Sequence, residues 1–264
     1  MKKKTSQKSL DKVLIESAKA GDADRVKDSL LAGADIHAQE NCALRWAAWQ
    51  GHLDAVKLLL DRGADIHTEN DYALRRTSFN GYIEVVRLLL DRGADIHAKS
   101  DGALQWAAEN GQLQVVCLLL DRGADIHAES DYALRWAARN GYIEVVQLLL
   151  DRGADIHAKD DHALFLAAQN GRIEMVALLL GRGADVHANS SRALHFATIN
   201  EHLDVVIQML AHGADLEIGL EAAKGAENSR MLDLLNQIKL SSEEKSIIST
   251  EVPVPQLACG MIRM

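Results

Sequence analysis

A tripeptide, Gly-Ala-Asp, recurs every thirty residues along this chain of 264 residues. Its glycines stand at Gly33, Gly63, Gly93, Gly123, Gly153, Gly183 and Gly213. The thirty-residue unit that begins at Asp71 is identical to the unit that begins at Asp131 at 24 of 30 positions. A fixed period of about 20 to 50 residues is typical of stacked units, each of which is one small supersecondary structure. The period therefore predicts an elongated array of layers.

Each unit carries two helical patterns separated by Asn-Gly, as residues 131–160 show. Asp131 stands at an N-cap position, before the apolar residues of a first helix, which are Leu134, Ala137 and Ala138. Asn140 and Gly141 tolerate the left-handed backbone that ends helices, and Gly153 repeats this signal one helix later. The second helix is apolar at Ile143, Val145, Val146, Leu148, Leu149 and Leu150. A unit is thus predicted to be a helical hairpin.

A single hairpin of helices about 15 Å long is too small to bury its own leucines. Stacking on neighbouring hairpins buries them, and paired alanines such as Ala137 and Ala138 let adjacent helices approach closely. The Leu-Leu-Leu row is apolar nearly all round, as a helix packed between neighbours requires. The sequence therefore predicts an all-α solenoid.

The recurring Asn-Gly, Val-Val, Leu-Leu-Leu and Gly-Ala-Asp elements, as in Ala138 to Asp155, resemble those of ankyrin repeats. The resemblance extends over residues 11–240 and implies an ankyrin-type solenoid of stacked helix-turn-helix units. The usual ankyrin unit has about 33 residues and opens its first helix with Thr-Pro-Leu-His, whereas these units have Ala-Leu and are three residues shorter. We therefore expect short turns in place of full β-hairpins. The thirty-residue variant is similar to arrays found in giant viruses of amoebae.

The ends of the array are more polar than its middle, as the terminal layers of a solenoid require. We expect a flexible basic N-terminus over residues 1–10 and an N-terminal cap over 11–40. Repeats follow over 41–220, and a partial C-terminal cap over 221–240. Residues 241–264, which contain both prolines and no periodicity, are predicted to be a flexible tail. Units 1 to 7 begin at Asp11, Asn41, Asp71, Asp101, Asp131, Asp161 and Ser191.

Charge and cysteine content narrow the possible partners and the compartment. A formal net charge of −9 disfavours nucleic acid as a partner, because the summed field repels phosphates. No apolar run reaches the roughly 18 residues that would span a membrane. Cys42, Cys117 and Cys259 are odd in number and unrelated in spacing, which fits a reducing compartment. We expect an intracellular, cytoplasmic monomer, in the host cell if the protein is viral.

A row of histidines at constant phase is the main candidate for chemistry. Its members are His37, His67, His97, His127, His157 and His187. Helices in a stack lie about 8 to 10 Å apart, whereas zinc holds nitrogen at about 2.0 to 2.1 Å, so neighbours in the row cannot share an ion. We expect each ring to hydrogen-bond within its own turn. Acid pairs such as Asp61 and Asp65 recur in like environments, which favours structural roles over catalytic ones.

These observations predict no catalytic residue, metal site or cofactor, and a protein that is not an enzyme. The leading hypothesis is a scaffold that binds another protein. A metal-dependent protein that uses the His and Asp rows is a rival hypothesis, and an adaptor that recruits a second machine through its tail is another.

Variable positions on the first helices are the candidate binding surface. The second, fifth, sixth and ninth residues of a unit lie within about 100° of one another, opposite the Leu/Ala side, and in ankyrin proteins this helix lines the concave face. We call this surface the first-helix face. Tyr, Trp and Arg often anchor interfaces. The candidate partner-binding residues are Arg45, Trp49, Tyr72, Arg75, Arg76, Phe79, Tyr132, Arg135 and Arg139.

Two groups on this face have a second possible role. The sixth-position residues Trp46, Trp106 and Trp136 stand where the family has a half-buried leucine, so they either pack between units or contact a ligand. At the fifth position, where a histidine of the family braces the adjacent turn, the arginines either do the same or bind a ligand. The basic, aromatic stripe on an acidic protein predicts an acidic protein segment as partner.

Overall fold

The computed structural model describes residues 6–250, with side chains described as far as residue 241. Within this range the chain forms sixteen helices and no strand. The helices are α1 Gln7–Ala20, α2 Ala23–Leu31, α3 Ala38–Trp49, α4 Leu53–Asp61, α5 Thr68–Asn80, α6 Ile83–Asp91, α7 Ala98–Glu109, α8 Leu113–Asp121, α9 Ala128–Asn140, α10 Ile143–Asp151, α11 Ala158–Gln169, α12 Ile173–Gly181, α13 Ala188–Ile199, α14 Leu203–Ala211, α15 Leu216–Gly225 and α16 Ser229–Thr250. The predicted all-α fold is confirmed.

The helices are stacked in two layers. Odd-numbered helices, the first of each unit, pack on one another from α1 to α15, and even-numbered helices from α2 to α14 form the second layer. The first helix of each unit buries one leucine completely; these are Leu14, Leu44, Leu74, Leu104, Leu134, Leu164 and Leu194. The same core continues through the valines of the second helices, so the predicted shielding of apolar side chains by neighbouring units is confirmed.

A left-handed turn replaces the hairpin between units. At the start of α9, where unit 4 passes into unit 5, Glu129, Ser130 and Asp131 have φ values of 53°, 56° and 55° and are not helical. The corresponding three residues at the entrance to each of units 2 to 7 all have positive φ. Non-glycine residues adopt this conformation rarely, and Asn and Asp tolerate it best. The third turn residue is Asn in unit 2, Asp in units 3 to 6 and Ser in unit 7. The expected short turn in place of a β-hairpin is confirmed.

The prediction that Asp131 caps its own helix is wrong. Its Oδ1 atom instead accepts a hydrogen bond, 2.8 Å long, from the backbone N–H of Asp155, the aspartate of the next Gly-Ala-Asp. The residue belongs to the left-handed turn, so its carboxylate links neighbouring turns. The predicted helix end is confirmed, because α9 stops at Asn140 and Gly141 has a φ of 84°.

The ends of the chain bear on the predicted boundaries. Helix α1 begins at Gln7, and α16 buries Met231 and Leu235 against the last units before it continues to Thr250. The boundaries at 10 and 240 remain predictions. Residues 1–5 and 251–264, parts of the predicted flexible ends, lie outside the described residues. Within 6–250, no helix is both long and apolar enough to cross a bilayer.

Candidate functional site

The histidine row makes hydrogen bonds within the turns, as predicted for its members. His67 Nδ1 lies 3.2 Å from Oδ1 of Asp71, four residues later. The rings of His37, His97, His127 and His157 contact the equivalent Asn or Asp. His187 departs from the prediction, because Ser191 stands four residues later and the His187 ring makes no hydrogen bond in the described residues, while its backbone N–H donates to Asp185. Among the described residues, no group of His, Cys, Asp and Glu has the geometry to hold a metal ion.

The recurring acid pairs also have structural partners. Asp65 Oδ1 accepts the backbone N–H of His67 at 2.9 Å, inside its own turn. Asp61 forms an ion pair of 2.8 Å with Arg92 of the following unit. Three further rungs repeat this link along the second helices: Asp91 with Arg122, Asp121 with Arg152, and Asp151 with Arg182. The carboxylates therefore join units, as the prediction of structural roles requires.

The fifth-position arginines brace the left-handed turns. Arg75 donates from Nε to the carbonyl of Asn70 at 3.1 Å and from Nη2 to that of Glu69 at 2.9 Å. Arg135 bonds its own turn in the same way, and Arg45 adds an ion pair of 2.8 Å to Glu69. Arg75 is only 9% exposed and Arg135 only 6%. Burial lowers the pKa of both guanidinium groups. The three side chains thus have partners within the chain.

The sixth-position arginine of unit 3 lies among aromatic rings. The Cζ atom of Arg76 is 4.5 Å from the ring centre of Trp49 and 4.9 Å from that of Phe79. The rings of Tyr72 and Trp106 lie slightly farther away, at 5.9 and 5.8 Å. The Arg76 Nε atom is buried and has no hydrogen-bond partner. The structure therefore brings together four predicted site residues, Trp49, Tyr72, Arg76 and Phe79, in one half-buried cluster.

A second cluster forms in unit 5. Arg139 lies over Trp136 at 4.6 Å, and the rings of Tyr132 and Trp136 are 5.3 Å apart. Glu109 of unit 4 lies close enough to Tyr132 to raise the pKa of its hydroxyl, after the larger effect of burial. Three of the predicted site residues, Tyr132, Arg135 and Arg139, are thus near one another, with Trp136 between two of them in the stack.

Two residues that the sequence reasoning missed extend the face at both ends. Lys19 Nζ lies 4.7 Å above the ring of Trp46, which itself stacks on Trp49 at 4.7 Å. Arg192 Cζ lies 4.3 Å from the ring of Phe165. Both cations occupy the ninth or second position of a unit, so the same positional rule, applied to units 1 and 7, would have found them.

The sixth-position tryptophans contact side chains of the chain itself. Trp46, Trp106 and Trp136 are half-buried, and each has a cation of the chain over its ring. Their contact with a ligand stays a prediction. Tyr82 and Tyr142, in contrast, pack over glycines of the preceding units, Gly51 and Gly111.

His162 lies in the same face, between the arginines of units 5 and 7. Its ring is 5.1 Å from that of Phe165. Burial lowers its pKa, and the charges of Arg135, Arg192 and Lys159 lower it further. Burial and these neighbouring charges therefore both disfavour the protonated form of the ring.

The comparison with known families agrees with this geometry. A family model described as ankyrin repeats in three copies matches residues 3–70, 74–160 and 134–219. No curated protein matches the chain.

Proposed function

Because the chain belongs to the ankyrin-repeat family, we propose that it is a scaffold that holds an acidic segment of a partner protein against its first-helix face. Ankyrin repeats generally serve as scaffolds for protein–protein interaction, and the family is typically not enzymatic. The finer assignment, to an acidic segment and to this face, is our own. We also propose that residues 11–240 form the binding array and that the protein acts as a cytoplasmic monomer.

The cluster around Arg76 carries the proposal. Its guanidinium group makes no ion pair and no hydrogen bond in the described part of the chain, and four aromatic rings surround it. The N–H donors of a guanidinium group match the geometry of a carboxylate. Aromatic rings at the same place supply apolar contact area at a small cost in side-chain entropy. The cluster thus combines aromatic rings that can anchor a partner with a positive charge that can pair with its carboxylate.

The predicted site residues divide by role in this proposal. The contacting residues are Trp49, Tyr72, Arg76, Phe79, Tyr132 and Arg139. Arg45, Arg75 and Arg135 have a structural role beside them, because their N–H groups already donate hydrogen bonds to carbonyls of the left-handed turns. A ligand carboxylate at these three arginines would add to existing bonds and would not replace them.

Selection of peptides from a random display library on the full chain tests the proposal. We expect enriched peptides to be acidic, and we expect the substitutions Trp49→Ala and Arg139→Glu to reduce their binding strongly. Arg62→Glu is the matched control, since Arg62 is exposed at the end of α4, on the other layer, and makes no ion pair in the described residues. Enrichment of neutral or basic peptides, or acidic peptides that bind all variants equally, would contradict the proposal.

A further inference from the structure

Four cations of the first-helix face share an arrangement that no sequence position alone reveals. Each lies within 5 Å of an aromatic ring centre, and each lacks an ion pair or side-chain hydrogen bond in the described residues. We call them the cation row: Lys19, Arg76, Arg139 and Arg192. Other arginines of the same face, such as Arg75, are satisfied by carbonyls of their own turns. The cation row is therefore the part of the face whose charged groups are not engaged by an acid or a carbonyl of the described residues.

The members of the cation row recur in every second unit. Lys19 belongs to unit 1, Arg76 to unit 3, Arg139 to unit 5 and Arg192 to unit 7. In unit 4, Glu109 occupies the ninth position, which Arg139 holds in unit 5. A ligand that lies along the stack thus meets one member of the cation row at each odd unit and the carboxylate of Glu109 between units 3 and 5.

The spacing selects the form of the ligand. Neighbouring helices in a stack lie about 8–10 Å apart, so the first helices of successive odd units lie about 16–20 Å apart. The members of the row stand at the ninth, sixth, ninth and second positions, and this offset along the helices lengthens the last interval most. An extended peptide advances about 3.3 Å per residue and covers about 16–20 Å in five or six residues. An α-helix of the same length would need about twelve residues, at 1.5 Å per residue. An extended peptide therefore needs fewer residues than an α-helix to reach from one member of the cation row to the next.

We propose that the cation row reads an extended acidic segment in which single acidic residues recur about every six residues. The proposal rests on the proposed function and adds the spacing of the acidic residues that the scaffold recognises. Each carboxylate pairs with one stacked cation, and the neutral residues between them pass Glu109 without repulsion. Stacking on the rings holds the cations in place before the ligand arrives, which reduces the entropy lost on binding.

Single-stranded RNA fits the same face less well. Proteins that bind it stack bases on open aromatic faces. Here Trp46 is covered by Lys19 on one side and packs against Trp49, and Trp136 is covered by Arg139. The rings are occupied by cations of the chain itself, and the net charge of −9 opposes a phosphate backbone.

Two synthetic peptides of identical composition test the spacing against the full chain. One carries four glutamates about six residues apart in a Gly/Ser background, and the other carries the same four glutamates side by side. Fluorescence anisotropy at about 0.02 M and about 0.15 M salt measures binding, because screening weakens exposed charge pairs. We expect the spaced peptide to bind at least about five-fold more tightly than the clustered one, if each of the four pairs contributes the usual amount for an exposed pair.

Single substitutions assign the effect to the row. Arg139→Gln and Arg192→Gln are each expected to weaken the spaced peptide about two- to five-fold, whereas Arg62→Gln removes the same charge from the other layer and changes nothing. Equal or tighter binding of the clustered peptide would overturn the proposal. So would tighter binding of a uridine-rich RNA that depends on the same arginines.

The two proposals fail in different ways. If library-selected acidic peptides need Trp49 and Arg139 but the two synthetic peptides bind alike, the spacing is wrong and the proposed function stands. If the selected peptides are not acidic, the proposed function and the proposed spacing are both wrong.

Discussion

The Oδ1 atom of Asp71 accepts a hydrogen bond of 2.8 Å from the backbone N–H of Asp95, the residue that stands 24 positions later in the next turn. The same carboxylate lies 3.2 Å from the ring nitrogen of His67. Asp71 is 3% exposed, so it is a buried group that joins two turns of the stack. Equivalent links occur from Asn41, Asp101, Asp131 and Asp161.

Replacing one of these carboxylates tests how much the link stabilises the array. We expect Asp131→Ala to lower the free energy of unfolding by about 1–3 kcal/mol, because the N–H of Asp155 loses its partner in a partly buried place. Asp131→Asn should cost much less, since Asn41 makes the same bond at 2.9 Å. Urea unfolding followed by circular dichroism measures both variants. Equal losses in the two variants would show that the charge, and not the hydrogen bond, matters.

The ion pairs along the second helices should contribute less. They are exposed to solvent, and such pairs are typically worth up to about 1 kcal/mol. Arg122→Gln breaks the pair with Asp91, and we expect a loss of stability within this limit that vanishes in high salt. Arg62→Gln is the control, because the position in register with it is Leu31 and no acid is available there. A larger loss for Arg62→Gln than for Arg122→Gln in urea unfolding would refute this account.

Gly111 is a position where both the backbone and a neighbour require glycine. Its φ is +70°, and an added Cβ would lie 2.5 Å from Cδ1 of Tyr142. Gly153 also has a positive φ, of +97°, but no atom lies within 4 Å of its added Cβ. We therefore expect Gly111→Ala to be more destabilising than Gly153→Ala, by about 1–3 kcal/mol for the overpacking. Thermal unfolding of both variants measures the difference, and equal melting temperatures would rule out the clash.

His162 should make the stability of the array depend on pH. Its pKa in the folded chain is lowered from 6.5, first by burial and then by Arg135, Arg192 and Lys159. The unfolded chain therefore binds the proton more readily, so stability is complete above pH 6.5 and falls as the pH drops through the lowered pKa. We expect His162→Gln to reduce this fall. Urea unfolding of both proteins between about pH 7.5 and 5 measures it, and parallel curves would contradict the assignment.

The layered fold followed from the sequence because its signals repeat. Helix ends at Asn140 and Gly141 and the buried row of Leu134 and its equivalents depend on local spacing alone. The bond from Asp131 to Asp155 was missed because it joins residues of adjacent turns, and a left-handed turn of three non-glycine residues has no common sequence signature.

The candidate site was harder to predict, because the same residue type serves two purposes on one face. Arg75 and Arg76 are neighbours in the sequence, yet the first bonds the turn beneath it and the second lies among aromatic rings without a hydrogen bond. Helical position placed both on the same side. The structure decides between the two alternatives for the fifth position, since Arg45, Arg75 and Arg135 all donate to carbonyls of the left-handed turns.

Separate substitutions distinguish the two kinds of arginine. Arg75→Ala removes two charge-assisted hydrogen bonds to the carbonyls of Asn70 and Glu69, so we expect a loss of about 1.5–3 kcal/mol in the free energy of unfolding. Arg139→Ala loses only its contact with Trp136, which contributes about 1 kcal/mol at this half-buried site.

Unit 4 supplies the control for the brace. Gln105 stands at the fifth position there and donates from Nε2 to the carbonyl of Ser100 at 2.6 Å. Arg75→Gln should therefore retain part of the brace and lose less stability than Arg75→Ala. Urea unfolding measures the stability of the variants, and Arg75→Ala should be the least stable. Binding of a library-selected acidic peptide should give the reverse order, with Arg139→Ala binding most weakly. If Arg139→Ala were the less stable protein and Arg75→Ala the weaker binder, the assignment of brace and contact would have to be exchanged.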